Sequence, residues 1–199
     1  MEKLCNELKF QCISKDLKEE IIEYSLSLYN QKVSYLESYG QFENQDSNSM
    51  AYIQDPKEYI RRLGLPRPVS FWKLNDSIYT QLVDHFFQND FFKNLEWKIQ
   101  FVKGGSFVAP HIDKATSRTA NILYLVQAGD DNVTTSWWTP TVEFQQDIIP
   151  ETRVIPFEKL ELIQSHNLDE DKWYQLDVSK IHSVSKHLNH RIGLSAGLL

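Results

Sequence analysis

From Leu95 onward the chain is a succession of short apolar runs separated by turn residues, and few architectures accommodate that pattern. Residues 95–102, 107–112, 119–126, 132–138, 151–155, 173–178, 181–184 and 191–199 are too short for core helices and rich in β-branched and aromatic side chains, which predicts strands. Gly104-Gly105 and Gly129-Asp130-Asp131-Asn132 supply reversals between them. Many short strands at this spacing predict a mainly β domain, a double-sheet jelly roll with a site between its sheets and helices buttressing the larger one. Residues 157–165 read as a small inserted helix.

The front half reads differently. Over 16–39, Leu17, Ile21, Ile22, Tyr24, Leu26, Leu28, Tyr29 and Val33 recur at helical spacing, and Gly40 can end the helix. A short helix is expected from Pro56 to about Gly64, an extended connection at Pro66 and Pro68, and re-entry to the core at Phe71 and Trp72. A second long helix is expected over 76–88, with Asp76 as its N-cap. The reading is one domain over 1–199, with 1–94 a mostly helical flank and 95–199 the jelly-roll core.

Composition supports a single sizeable core, since 41% of the 199 residues are hydrophobic. A formal charge of -6 without a basic stripe excludes a general nucleic-acid binder. Cys5 and Cys12 are too few and too close for a disulfide framework. The first residues lack a signal-like apolar segment and no run of 18 apolar residues occurs, so a soluble cytoplasmic protein without membrane partners is expected.

The chemistry-bearing residues are His111, Asp113, His182 and Arg191. On a strand, residues two apart share a face, so the His111 imidazole and the Asp113 carboxylate can reach one ion while Ile112 points away. His182, on a strand returning to the core, is the best third ligand. Two imidazoles and a carboxylate leave open positions on a six-coordinate metal, the arrangement suited to Fe(II) that also takes oxygen and an organic ligand. In 191–199, alternation places Arg191, Gly193 and Ser195 on one face, where the guanidinium can grip a carboxylate with two parallel hydrogen bonds.

With these residues in place, the sequence resembles the 2-oxoglutarate and Fe(II)-dependent oxygenase superfamily over roughly residues 95–199. The run Pro110-His111-Ile112-Asp113, followed by Arg118-Thr119-Ala120-Asn121-Ile122, is closest in appearance to the aspartyl/asparaginyl beta-hydroxylase-like branch. The resemblance implies a cupin-like double-stranded β-helix in which His111, Asp113 and His182 are catalytic and hold Fe(II), with Arg191 binding the far carboxylate of 2-oxoglutarate. It further implies oxidative decarboxylation of that co-substrate with O2, coupled to hydroxylation or related C-H oxidation of a small polar molecule, an amino acid or a peptide residue. Family members often carry Ser or Thr two positions after the basic residue, where this chain has Gly193. Ser195, Tyr124 or another donor then completes the carboxylate clamp.

Other residues have two readings each. Asn121 either lines the polar pocket or is held by neighbouring backbone. Arg118 can meet a substrate carboxylate or sit solvated at a strand end. Of Trp137 and Trp138, one packs inward and the other faces outward or covers the cleft. His187 and His190, in a polar connection, are expected to be solvent-exposed. The rival functions are a jelly-roll metal hydrolase or isomerase that uses the triad without 2-oxoglutarate, and a non-catalytic ligand-binding jelly roll.

Overall fold

The computed structural model describes residues 3–38, 69–85, 92, 95–113, 119–141, 155 and 157–198, without the side chains of 34–38 and 85. Among these residues are two helices and ten strands in chain order: β1 (Cys5–Leu8), α1 (Lys15–Ser38), β2 (Val69–Lys73), α2 (Asp76–His85), β3 (Lys98–Val102), β4 (Val108–His111), β5 (Ala120–Gln127), β6 (Thr134–Pro140), β7 (Leu160–Asn167), β8 (Trp173–Asp177), β9 (Ile181–Val184) and β10 (Arg191–Leu198).

All strand pairs are antiparallel and form two sheets. The large sheet has the order β1-β8-β5-β10-β3-β2 and the small one β4-β9-β6-β7. From β3 to β10 the chain passes from one sheet to the other at every connection except β6 to β7. Two strands absent from the sequence reading, β1 and β2, come from the front half and form the edges of the large sheet. The segment after Phe157 is a single 3-10 turn, Phe157–Lys159, that runs straight into β7 rather than a helix. Pairing with β6 from Thr134 to Pro140 outweighs its weak helical spacing.

Alternation divides the large sheet into two surfaces. Ile122, Tyr124 and Val126 of β5, with Ile99, Phe101, Ile192 and Leu194, pack against Leu17 and Ile21 of α1 and Ile78 and Leu82 of α2. Four-residue spacing puts each helical pair on one face. Ser14 Oγ accepts from Leu17 N at 3.2 Å to cap α1. Asn75 Oδ1 accepts from Ile78 N at 2.7 Å, so the cap of α2 is Asn75 and not Asp76, which already lies inside the helix.

Leu123 and Leu125 point the other way and, with Tyr174 and Leu176 of β8, meet Trp137 of the small sheet in a second core between the sheets. Beyond the small sheet, Ile155, Leu160 and Ile181 form a third cluster, with Ile112 and Trp138 against it. The expected strand over 151–155, apart from Ile155, lies outside the described residues, as does the expected helix from Pro56. No described helix is long and apolar enough to cross a membrane.

Candidate metal centre and its surroundings

β4 and β9 are neighbours, and their register sets His111 directly opposite His182. The two rings lie 4.4 Å apart, centroid to centroid. β4 ends at His111, and Asp113 folds back from the residues just beyond it, with Oδ1 3.2 Å from His111 Nε2 and Oδ2 4.0 Å from His182 Nε2. One ligand atom from each of the three residues lies within 4.8 Å of the others.

Backbone carbonyls decide which nitrogen faces the centre. His111 Nδ1 lies 2.8 Å from Ala109 O and His182 Nδ1 3.0 Å from Lys180 O. A carbonyl can only accept, so each Nδ1 carries the proton and each Nε2 turns its lone pair inward. Burial alone disfavours a charged His111, but the hydrogen bond and charge of Asp113 overcome it and raise the pKa. His182 is pushed down to about 4, first by burial and then by His111 beside it. Two oriented lone pairs and a carboxylate whose side chain is 39% exposed fit a divalent cation reached from solvent. His111, Asp113 and His182 would hold it.

Trp137 stands opposite His182 across β6 and β9. Its ring is fully buried between the sheets and its Nε1 donates to Asp177 O at 2.7 Å, so it underlies the second imidazole. Trp138 points to the outer side, donates to Ser183 Oγ at 2.8 Å and packs edge-on against Phe157, away from the cleft. Arg118 lies outside the described residues.

Arg191 opens β10 opposite Val102 and shares with Gly193 and Ser195 the face of the large sheet turned toward the small one. It is 5% exposed. One of its nitrogens, Nη1, donates to Ala128 O at 3.4 Å, and among the described residues no carboxylate forms an ion pair with it. Burial pushes its pKa down to about 10. A buried guanidinium left with one long hydrogen bond fits an incoming anion.

The remaining sequence candidates divide between the two faces. Asn121 and Ser195 are on the interior face but bonded to each other, Asn121 Nδ2 to Ser195 Oγ at 2.9 Å and Ser195 Oγ to Asn121 Oδ1 at 3.1 Å. Asn121 thus finds a side-chain partner rather than a backbone one. Tyr124 is not in the cleft: one residue out of phase with Leu123, it faces the helices and donates to Asp171 Oδ1 at 3.1 Å. His187 is fully buried instead of solvated, because its connection tucks under the Gly129 turn. Gly129 has φ +100, and any Cβ there would come 2.9 Å from His187 Cδ2. His190 is half-buried on the helix side, its ring tilted against those of Phe101 and Tyr29, and its Nδ1 accepts from Gly104 N at 3.0 Å. Neither histidine competes for the triad.

Thr135, which the sequence did not single out, is buried and shares the interior face of β6 with Trp137.

No protein-family model and no curated protein matches the chain. Among solved structures, it is similar to a Trichoplax adhaerens prolyl hydroxylase in complex with a hypoxia inducible factor oxygen degradation domain peptide, at 12% identity and TM-score 0.49, over 98% of this chain and 82% of that one. It is also similar to a 2OG-Fe(II) oxygenase family oxidoreductase from Burkholderia pseudomallei, at 13% identity and TM-score 0.38, over 61% of this chain and 55% of that one. A third similarity is to a Momordica charantia 7S globulin, at 11% identity and TM-score 0.36, over 67% of this chain and 30% of that one.

Proposed function

We propose that this protein is a non-haem Fe(II) oxygenase that uses 2-oxoglutarate and O2, built on a double-stranded β-helix. The observation that carries the reading is the pairing of two half-sites: a three-ligand centre with inward lone pairs at His111, Asp113 and His182, and on the facing sheet a buried Arg191 without an anionic partner among the described residues. A hydrolytic or isomerising metal site would account for the first and leave the second idle.

In this reading the bound metal supplies oxygen activation and the redox chemistry of oxidative decarboxylation. The chain supplies orientation. Ala109 O and Lys180 O hold the imidazoles in one tautomer, Asp113 carries the compensating negative charge, and Arg191 fixes the far carboxylate of the 2-oxo acid. Trp137 excludes water beneath His182. The substrate is a small polar molecule, an amino acid or a peptide residue that enters over the partly exposed His111 and Asp113.

Anaerobic titration of Fe(II) with and without 2-oxoglutarate tests this. A visible charge-transfer absorption is expected when both are present and not with either alone, followed by succinate release when air is admitted with a turned-over substrate. Stoichiometric metal binding with no response to 2-oxoglutarate would favour the hydrolase reading.

A further inference from the structure

The large sheet has six strands and the small one four, so part of the large sheet extends past its neighbour. Register shows which part. Phe71 of β2 pairs with Gln100, Gln100 with Gly193, and Gly193 with Leu125, which belongs to the core between the sheets. Cross-strand partners share a face, so Phe71 and Gln100 point to the side on which the small sheet lies. Two residues along, Lys73, Lys98 and Ser195 make a second row on the same face. β3 leads directly into β4, the edge of the small sheet that carries His111, and β2 lies one strand outside β3.

Exposure marks this strip as open. Trp72, on the helix side of β2, packs against the first core, whereas Phe71 is 54% exposed and Lys73 is exposed as well. The residues of β2 that aim toward the other sheet are the uncovered ones, the reverse of a sandwich interior. A single exposed ring needs no explanation, but its company does.

Lys73 and Lys98 are direct cross-strand partners, a like-charge pair that weakens an antiparallel ladder. Glu96 Oε1 answers Lys98 Nζ at 3.1 Å, and Lys73 has no ion pair among the described residues. None of β2, β3, β5 and β10 contains an Asp or Glu. In a chain of formal charge -6, this gathers positive charge at the mouth of the metal cleft. Such a face is complementary to an acidic ligand. Phe71 also stands two strand spacings, about 10 Å, from Gly193. A free amino acid held at the triad does not cover that span, and an extended peptide covers it with about three residues at about 3.3 Å each.

We propose that Phe71, Lys73, Lys98 and Gln100 form a docking strip for an extended acidic peptide, the substrate of the metal centre. An Asp or Glu side chain about three residues from the oxidised position meets Lys73 and Lys98, an apolar neighbour lies on Phe71, and the Gln100 amide bonds the peptide backbone. This rests on the oxygenase reading of the triad and Arg191 given above, to which it adds the residues that choose the substrate.

The test is succinate release by the Fe(II)-loaded protein in air, with 2-oxoglutarate and subsaturating pools of otherwise random decapeptides in which Glu, Gln or Lys is fixed at two positions. The Glu pool is expected to give the fastest release and the Lys pool the slowest. Lys73→Gln and Lys98→Gln should each slow the Glu pool by about fivefold. Phe71→Ala should slow every pool by a similar factor, with Phe71→Tyr restoring the rate. Lys73→Glu, at an exposed position, should reverse the order so that the Lys pool leads, which damage to the fold would not do. Equal rates from the three pools, or an unchanged order in Lys73→Glu, would overturn the acidic docking strip. Free Asp or Glu that stimulates as well as the Glu pool would overturn the peptide assignment. So would no stimulation by any pool while 2-oxoglutarate still evokes the charge-transfer absorption, and in that case the proposed function stands. If 2-oxoglutarate evokes no absorption, the oxygenase reading falls and this inference with it.

Discussion

Replacing Arg191 by Met should make the protein more stable and blind to 2-oxoglutarate. The guanidinium is 5% exposed, and burial moves its pKa from 12.5 to about 10. At about 1.36 kcal/mol per pH unit, the folded structure disfavours the charged form by about 3 kcal/mol. The compensation is a single bond to Ala128 O at 3.4 Å, weak by geometry. Met keeps the stem of the side chain and removes the charge, so a gain of about 1–3 kcal/mol is expected, as when uncompensated buried ions are replaced by apolar groups. Urea unfolding should show a higher midpoint at unchanged slope, and the thermal midpoint should rise by roughly 2–4 °C per kcal/mol. Addition of 2-oxoglutarate to the metal-loaded proteins should reverse the order, because ligand at a hundredfold its Kd stabilises the parent by about 2.7 kcal/mol and leaves the Met variant unchanged. A Met variant that is destabilised by 1 kcal/mol or more would refute the argument, since it would mean that the empty pocket already satisfies the guanidinium.

Asp113→Ala and His182→Ala should each abolish stoichiometric Fe(II) binding, at a cost in unfolding free energy of less than about 1 kcal/mol for Asp113, whose side chain is 39% exposed, and more for His182, which is 12% exposed; retained stoichiometry by metal analysis would remove that residue from the ligand set. Acid should destabilise the fold below about pH 6.5, where the unfolded chain protonates its histidines while buried His187 and His190, their pKa values lowered chiefly by burial, stay neutral. Each ring contributes at most about 1.4 kcal/mol per pH unit, so His187→Gln should flatten the slope of stability against pH, and an unchanged slope would count against its neutral burial. A thiol reagent at pH 8 should modify exposed Cys12 in the native protein and reach Cys5, whose pKa burial pushes up to about 11, only in denaturant; rapid reaction at both would contradict the packing of β1.

Much of this fold was legible because period-two alternation survives wherever a strand is buried between a helix layer and a second sheet. β5 and β10 fall within one residue of their sequence boundaries, β3 ends at Val102 as expected but starts three residues later, and the inward set Arg191, Gly193, Ser195 followed from counting alone. The pair His111 and Asp113 was legible from its spacing, although only His111 is in a strand and Asp113 lies two residues beyond its end. Strand β7 was not legible, since its exposed Leu162 and Ile163 sit on an edge where neighbours rather than spacing dictate the conformation. His187 misled because a polar sequence around it reads as solvated, and nothing local reports that the Gly129 turn covers it. Tyr124 shows the opposite failure, for the alternation already placed it with Ile122 and away from Asn121.

The position of β10 bears on how the protein is made. It is the last of the described strands in chain order, yet it fills the slot between β5 and β3 near the middle of the large sheet. Until it arrives, β5 and β3 remain open edges facing each other across a gap, each a template for mispairing with another chain. Closing the gap joins segments about 70 and 90 residues apart in sequence, contacts whose loop-closure cost makes folding slow. His182 and Arg191 flank that closing step. A chain still emerging from the ribosome therefore carries His111 and Asp113 before His182 and Arg191 are in place.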